Sequence, residues 1–511
     1  MSKDLINTWI INKELKSSNE IDNFFLDEIK KNNNDNEFLI NNLDNIKKIV
    51  KIFSSSPWTT QKEIIDKLKI KKEDLINLNL FISNSKNLQD LILKKGLATK
   101  YWNTILPFAS ITNNVLNNQY NFPKRIALFP GVSCMFYCGF CGRNQSAKYP
   151  INILDSSLKM YQKVFDDSDG QTSFSISGGL EPLTNPKIGD MVMHANNKNI
   201  RIPIITNGYS LTSSYLKNNP GLWKADSIRI SLYGIDEKSY EFITRVKKGY
   251  KQVSKNIINL LKERNLNNDK LKIGLNFIII PENIDQFLKI PEFVSSINSE
   301  INNGRGIDFI TLRDDYQSVT SHSDKMDTDR KYRLDKPMDF EQRKNLVAHI
   351  NSFEKKRKTL CPDLFVDYGY SLDSLFKGQF DNGLMKIEGE KMRQFGFTQI
   401  SVAIDLFGDV FLFREAGFLN REGNKKMIIG RLSENTTLEE VIKAFLSKNK
   451  PIKMEKNDNR FMDSFDHVVT SLVNQAEEDK YIGIPFNLGP IKSRKETITM
   501  GLGNNWYSDT I

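Results

Sequence analysis

From Pro123 onward, short β-branched runs alternate with amphipathic stretches, and this alternation limits the folds open to the chain. RIALFPG (125–131), TSFSISGG (172–179), RIPIITNG (201–208), DSIRISLYG (226–234), LKIGLNFIII (271–280) and IDFITLRDD (307–315) read as strands. The stretches 156–167, 186–198, a short segment after Leu211, 236–264 and 283–299 read as helices between them. Strands separated by helices imply parallel crossover units, because a tight turn cannot join parallel neighbours. Two arrangements satisfy this pattern: an open doubly wound sheet, and a barrel-like (β/α)6 sheet. In both, chemistry collects at the C-terminal strand ends. The unusual residues do fall there: cysteines after the first strand, SGGLEP after the second, TNG after the third, SLYG in the fourth, LRDD in and after the sixth.

Of four cysteines, Cys134, Cys138 and Cys141 lie within eight residues, in a C-x3-C-x2-C spacing with Phe140 before the last. Three thiolates on one tight loop can ligate three irons of a [4Fe–4S] cluster and leave the fourth iron open for substrate chemistry. Zinc is the alternative. It asks for four ligands, and the nearest histidine, His194, is more than fifty residues away. Unligated buried thiols are a third reading. Cys361 stands alone and reads as a small buried hydrophobe.

Charge and composition restrict the partners. Lys and Arg number 72 against 62 Asp and Glu in 511 residues, a net +10. This mild excess fits a phosphorylated substrate or a solvated basic surface. No apolar run reaches eighteen residues, and the first sixteen, MSKDLINTWIINKELK, carry charges inside their apolar stretch. No membrane partner and no export are expected. Clustered cysteines in a long chain fit a metal site in a reducing cytoplasm better than disulfides. The basic residues are scattered without aromatic platforms, so no nucleic acid partner is expected.

Around this core the expected boundaries are a helical N-terminal domain over 1–120, the α/β core over 121–316, a flexible polar insertion over 317–338, and an α+β extension over 339–511 that is expected to complete a substrate pocket. In the first, Ile40, Leu43, Ile46 and Val50, then Ile64, Ile65, Leu68 and Leu75, recur at helical spacing. In the last, 339–358 reads as a helix and 364–370 and 398–413 as strands, with FGD (407–409) as a turn.

The cysteine motif on the first loop of such a run resembles the radical SAM superfamily. The resemblance implies a partial (β/α)6, TIM-like barrel. It implies S-adenosylmethionine as cosubstrate, chelating the open iron of the cluster held by Cys134, Cys138 and Cys141. The reduced cluster cleaves it to a 5′-deoxyadenosyl radical, which abstracts a substrate hydrogen; the protein binds, orients and excludes water. Gly178 and Gly179 match the segment that contacts the SAM amino group, with Glu181 beside them. Asn207, Ser231, Arg245 and Phe140 are further candidate SAM contacts. An external one-electron reductant of flavodoxin or ferredoxin type is implied too.

Wider segments narrow the resemblance, among them YWNTILP (101–107), SGGLEPLTNP (177–186), PGLW (220–223), DLFGDVFLFREAGF (405–418) and FMDSFDHVVT (461–470). From about Tyr101 to about Glu478 they resemble the ammonia-lyases that deaminate nucleotide-diphosphate deoxysugars. The implied reaction takes hydrogen from C3 of a 4-amino-4,6-dideoxyhexose and expels the C4 amine, leaving a 3-keto sugar and ammonia. Such a substrate asks for cations at the diphosphate, a base for the C3 hydroxyl and an anion near the amine. Glu415, Arg414 and Tyr316 are the catalytic candidates; Arg313, Asp314, Tyr368 and Tyr370 are further pocket candidates. Arg414 and Glu415 read as strand neighbours facing opposite ways, with Glu415 as the favoured amine or hydroxyl partner. The 318–336 insertion and the tail beyond 479 depart from the pattern. A radical dehydrogenase or epimerase of a nucleotide sugar is the alternative fate of the same abstraction. A metal-binding, nucleic-acid-binding protein without catalysis is the alternative from another class.

Overall fold

The computed structural model describes residues 18–32, 36–93, 96, 98–143, 147–267, 270–301, 304–314, 338–369, 372, 375, 387–448 and 450–479. Tyr316, Tyr370, nearly all of the 317–338 insertion and the tail beyond 479 lie outside them. The described residues form two compact units. One holds those up to Thr112, Leu375 and those from Val468; the other holds Asn113–Leu372 and Ile387–His467. The 339–511 stretch therefore contributes to both.

The first unit is helical, through Ser18–Lys30, Leu43–Ser55, Gln61–Leu68, Lys72–Asn84, Lys86–Leu93 and Thr99–Ile105 among others. After Ser55 a turn at Pro57 and Trp58 leads to Thr60, whose side chain accepts from Glu63 N–H while Glu63 reaches back to Thr60 N–H, a reciprocal cap that starts the helix at Gln61. Ile46, Val50, Ile64 and Leu75 are buried as their spacing requires. Ile40 is instead half exposed, because one helix stops at Asn41 and the next starts at Leu43.

The second unit is built on one sheet: β1 (Arg125–Phe129), β2 (Ser173–Ile176), β3 (Pro203–Thr206), β4 (Ser227–Ser231), β5 (Lys272–Ile279), β6 (Phe309–Asp314), β7 (Phe365–Tyr368), β8 (Ser401–Asp405), β9 (Asp409–Phe411) and β10 (Ile428–Arg431). The order is β10-β9-β8-β1-β2-β3-β4-β5-β6-β7. From β1 to β7 every neighbour follows in chain order and every pair is parallel. There is no reversal of order, so the winding is barrel-like and not doubly wound. β8 returns parallel to β1, and β9 and β10 add an antiparallel margin. Among the described residues, no helix is long and apolar enough to cross a membrane.

Two expected helices are broken. The 236–264 stretch forms Glu237–Thr244 and Gly249–Leu266, separated by a turn in which Arg245 and Lys248 have φ of 62° and 59°. The 283–299 stretch splits into Ile284–Phe287 and Ile290–Ser299, with Pro291 opening the second helix.

Register divides the sheet into two chemically different faces. Ile126, Leu128, Ile176, Ile204, Ile228, Ile230, Ile273, Leu275, Ile310 and Leu312 share one face and are all buried. Tyr368 joins this face and donates to Glu354 of the helix Phe340–Leu360 at 2.6 Å, so it does not line a pocket on the other one. The opposite face is polar. Ser231, Asn276, Thr311 and Asp367 stand in register across β4 to β7, with Arg229 one step below and Arg313 one step above. Gly274 makes room here: a Cβ on it would sit 2.3 Å from the Phe309 ring.

Gly274→Ala is therefore expected to destabilise the protein by about 1–3 kcal/mol through overpacking. Phe309→Leu should recover most of that loss in the double variant. Urea unfolding of the single and double variants measures it, and additive effects would contradict the contact.

Candidate functional site

The cysteine loop leaves β1 and is pinned on two sides. Tyr137 N–H donates to Thr244 C=O (2.9 Å) and Gly139 N–H to Ile243 C=O (3.2 Å), which gives the last carbonyls of the helix Glu237–Thr244 their donors. On the other side, Glu181 N–H donates to Ser133 C=O at 2.9 Å, and the Thr184 hydroxyl accepts from Val132 N–H (3.0 Å) and Ser133 N–H (3.1 Å). The loop after β1 and the SGGLEPLT segment after β2 are thus zipped together. Gly178 and Gly179 take φ of 85° and 64°, and a Cβ on Gly178 would meet the Phe129 ring at 2.7 Å. Only glycine satisfies both demands there.

Glu181 is buried beneath this junction. Burial pushes its carboxyl above the usual range, and donors from Thr206, Asn207 and Leu183 pull it back. Asn207 N–H donates at 2.8 Å and Leu183 N–H at 3.1 Å. The carboxylate therefore ties the second loop to the end of β3. The Asn207 side-chain amide faces the cysteine loop, 3.1 Å from Met135 Sδ and 3.9 Å from Cys134 Sγ.

All three clustered cysteines are free thiols, Cys138 buried and Cys134 and Cys141 half-buried. Burial pushes the Cys134 thiol up to about 11, and Arg143 opposes it. Cys138 is pushed well above its usual range by burial and by both neighbouring cysteines. Ionising them together in that environment calls for a cation. Among the described residues, no three His, Cys, Asp or Glu side chains gather as a site for a single metal ion. A multi-iron cluster takes one thiol per iron and spans wider spacing, so the donor chemistry fits an iron–sulfur cluster better than one ion. Arg143 was not singled out in the sequence. It is buried and donates to Phe136 C=O, inside the loop it steadies. The only sequence signal was a cation two residues after the third cysteine.

The other candidates are spread around this junction. Phe140 packs edge-on against Tyr233, centroids 4.8 Å apart. Ser231 is buried on the polar face and bonds the Tyr233 hydroxyl. Arg245 is exposed at the helix end beside the cysteine loop, its guanidinium 5.3 Å from the Phe242 ring. Tyr316 lies outside the described residues.

Arg414 and Glu415 are not strand residues. β9 ends at Phe411, and a 3-10 turn over Arg414–Gly417 replaces the expected alternation. Both side chains can therefore point inward. The Arg414 guanidinium donates to the Ser177 hydroxyl, next to Gly178, and to Asp463 at 3.2 Å. Glu415 is buried and lies 3.5 Å from Arg421 Nη1.

Asp463 is the centre of a buried cluster that the sequence did not reveal. It accepts from Arg414 and, at 3.3 Å, from Arg125 at the start of β1. Asp466 accepts the backbone N–H groups of Arg414 (3.0 Å) and Asp463 (3.2 Å). Burial would raise the Asp463 carboxyl, but the two guanidiniums outweigh it and hold it low. Burial and the Asp463 charge push Asp466 well above the carboxylate range. The signal was there as D-x-x-D in FMDSFDH, with nothing to say what it faced.

The two aspartates should respond oppositely to neutralisation. Asp463 is depressed, so its stabilisation is present above the unfolded value of 3.8 and is lost as pH falls below it. Asp466 is raised, so the folded state keeps a proton that the unfolded chain releases above 3.8, which costs stability as pH rises. Asp463→Asn strands two buried guanidiniums and is expected to cost about 3–5 kcal/mol at pH 7. Asp466→Asn should be neutral or stabilising at pH 7. Thermal unfolding from pH 4 to 8 checks both, and equal losses would refute the assignment.

Known proteins resemble this chain in sequence. Residues 128–294 match the radical SAM superfamily. The chain is 33% identical over 432 residues, 84% of this chain and 86% of that enzyme, to the dTDP-4-amino-4,6-dideoxy-D-glucose ammonia-lyase of Streptomyces venezuelae. Among solved structures, Streptococcus suis SuiB bound to S-adenosylmethionine is 16% identical, with a TM-score of 0.42 over 74% of this chain and 77% of that one. Native anSMEcpe with bound AdoMet is 15% identical, with a TM-score of 0.40 over 66% and 82%. These structural likenesses are too loose to locate a ligand. The sequence match over most of both chains shows the family: the protein belongs to the radical SAM superfamily, whose members use S-adenosylmethionine with an iron–sulfur cluster.

Proposed function

We propose that the protein is a radical SAM ammonia-lyase acting on a nucleotide-diphosphate 4-amino-4,6-dideoxyhexose. The observation that carries this reading is the 33% identity to an ammonia-lyase over 84% of the chain, which takes in the C-terminal region as well as the core. The net change is balanced: a C3 carbinol beside a C4 carbinamine becomes a C3 ketone beside a C4 methylene, with release of ammonia. Cys134, Cys138 and Cys141 would hold a [4Fe–4S] cluster with one open iron, and with S-adenosylmethionine it would supply the radical that takes the C3 hydrogen.

The chain's own residues hold and shape the substrate. Gly178 and Gly179 let backbone approach the SAM ammonium, and Glu181 fixes that segment against Asn207. Ser177 and Arg414 brace it from behind. The polar face of the sheet is the proposed sugar-nucleotide pocket. Ser227 Oγ, Asn276 Oδ1, Thr311 Oγ1 and Arg313 Nε are buried there without a hydrogen-bond partner in the protein. Buried polar atoms of this kind are costly unless a ligand satisfies them. Arg313 supplies a cation for the diphosphate. Asp367, in register with Thr311, is a carboxylate on that face, suited to hold the departing amine. Glu415 is the other carboxylate, and its pairing with Arg421 makes it the competitor to be tested against Asp367.

Anaerobic incubation of reconstituted protein with SAM, reductant and TDP-4-amino-4,6-dideoxyglucose should release 5′-deoxyadenosine and ammonia together. A ketone without ammonia would instead establish the dehydrogenase reading. Cys134→Ala should lose iron and SAM cleavage together. Asp367→Asn is expected to lower kcat by about 10²–10⁴-fold with iron content and SAM affinity intact. If Glu415→Gln shows that pattern and Asp367→Asn does not, the carboxylate roles are exchanged.

A further inference from the structure

Radical chemistry of this kind draws electrons from outside, and the surface beside the cysteine loop has a definite character. Tyr137 is 47% exposed, although it is the chain neighbour of the buried Cys138. Its N–H is bonded to Thr244, the last residue of the helix Glu237–Thr244. The chain then turns through Arg245 and Lys248, both at positive φ, before Gly249 opens the next helix. Positive φ is costly for residues with a Cβ, so something specific sustains this turn.

The turn carries charge outward. Arg245, Lys247, Lys248 and Lys251 are exposed, and no acidic residue occurs between 245 and 251. Phe242, 39% exposed, lies under the Arg245 guanidinium, and the Tyr137 ring lies 6.0 Å from the guanidinium carbon of the buried Arg143. Two exposed aromatic rings, each with one guanidinium beside it, and a run of exposed lysines lie next to a proposed cluster ligand and form a surface suited to a negatively charged protein, with Glu237, which accepts from Lys251 N–H at 3.1 Å, at its margin. The backbone bonds from Tyr137 and Gly139 make this surface and the cysteine loop one connected piece.

We infer that Tyr137, Phe242 and the basic turn 245–251 form the docking surface for an acidic one-electron carrier protein of flavodoxin type. One electron leaves the carrier and enters the site at the cysteine loop; no atom is transferred. Complementary charge raises the encounter rate and orients the carrier with its cofactor toward Tyr137 and Cys138. The inference rests on Cys134, Cys138 and Cys141 holding the cluster.

The test compares two reductants on the reconstituted enzyme. In the Lys247→Glu/Lys248→Glu variant, flavodoxin should bind at least about tenfold more weakly at low ionic strength, with the difference shrinking in high salt. Cluster bleaching by reduced flavodoxin should slow in proportion, while bleaching by dithionite should keep its wild-type rate. Lys247→Arg/Lys248→Arg should retain flavodoxin binding. Unchanged flavodoxin affinity and bleaching in the charge-reversed variant would overturn the inference. So would an equal slowing with dithionite, which would make the turn a support of the loop and nothing more. Failure of the cluster reading shows separately, as wild-type protein that takes up no iron through the three cysteines.

Discussion

The period-two alternation of the parallel strands is the constraint on which everything else rests. One face of the sheet carries Ile126, Leu128, Ile228, Ile230, Leu275 and Leu312 and is fully buried. That burial provides the cohesion, so the other face is free to be polar. A barrel packed for stability alone would fill its interior with branched aliphatics. Here Ser231, Asn276, Thr311 and Asp367 stand in one row. The interior gives up packing energy and gains hydrogen-bonding groups at fixed positions.

A second constraint acts at the strand ends. Clustered thiols, a buried carboxylate and the Arg143 guanidinium meet within the loops after β1, β2 and β3. Each is unfavourable alone at such depth. Together they compensate: Glu181 is satisfied by Thr206, Asn207 and Leu183, and Arg143 opposes the charge of the cysteines. Asp463 performs the same service between Arg125 and Arg414. Apolar packing adds to this: Phe136 packs edge-on against Tyr209 and Tyr240, and Val132, Leu180 and Leu183 are buried.

Much of this was legible in the sequence, for physical reasons that differ from residue to residue. The strands from 125 to 315 announced themselves by β-branched runs, because burial on the outer face demands them. The cysteine spacing and the paired glycines are local signatures, readable without knowledge of the fold. Choosing between open and barrel-like winding was not possible from periodicity, since both use identical crossovers. The break at 245–248 was missed because the donors that end the helix come from residues 137 and 139, far away in sequence. Arg414 and Glu415 misled for a related reason. A strand pattern continued past Phe411, but the backbone N–H of Arg414 is taken by Asp466, and the turn follows. The polar row, Asp367 included, became visible only once β4, β5, β6 and β7 were in register.

The pairing of β1 with β8 has a consequence for how the protein is made. Arg125 stands opposite Ser401 and shares Asp463 with Arg414. At about 5–20 residues per second, the ribosome needs tens of seconds between those segments. Throughout that interval β1 has one bare edge, and its first side chain is a guanidinium with no carboxylate to meet. Such an edge invites association with other nascent chains, and contacts this distant in sequence slow folding. A charged residue at the head of an otherwise apolar strand is the kind of gatekeeper that keeps the waiting edge soluble. The carboxylate that anchors Arg125, Asp463, stands just ahead of the helix Ser464–Asp479, so the strand gains its anchor only when that segment has been made.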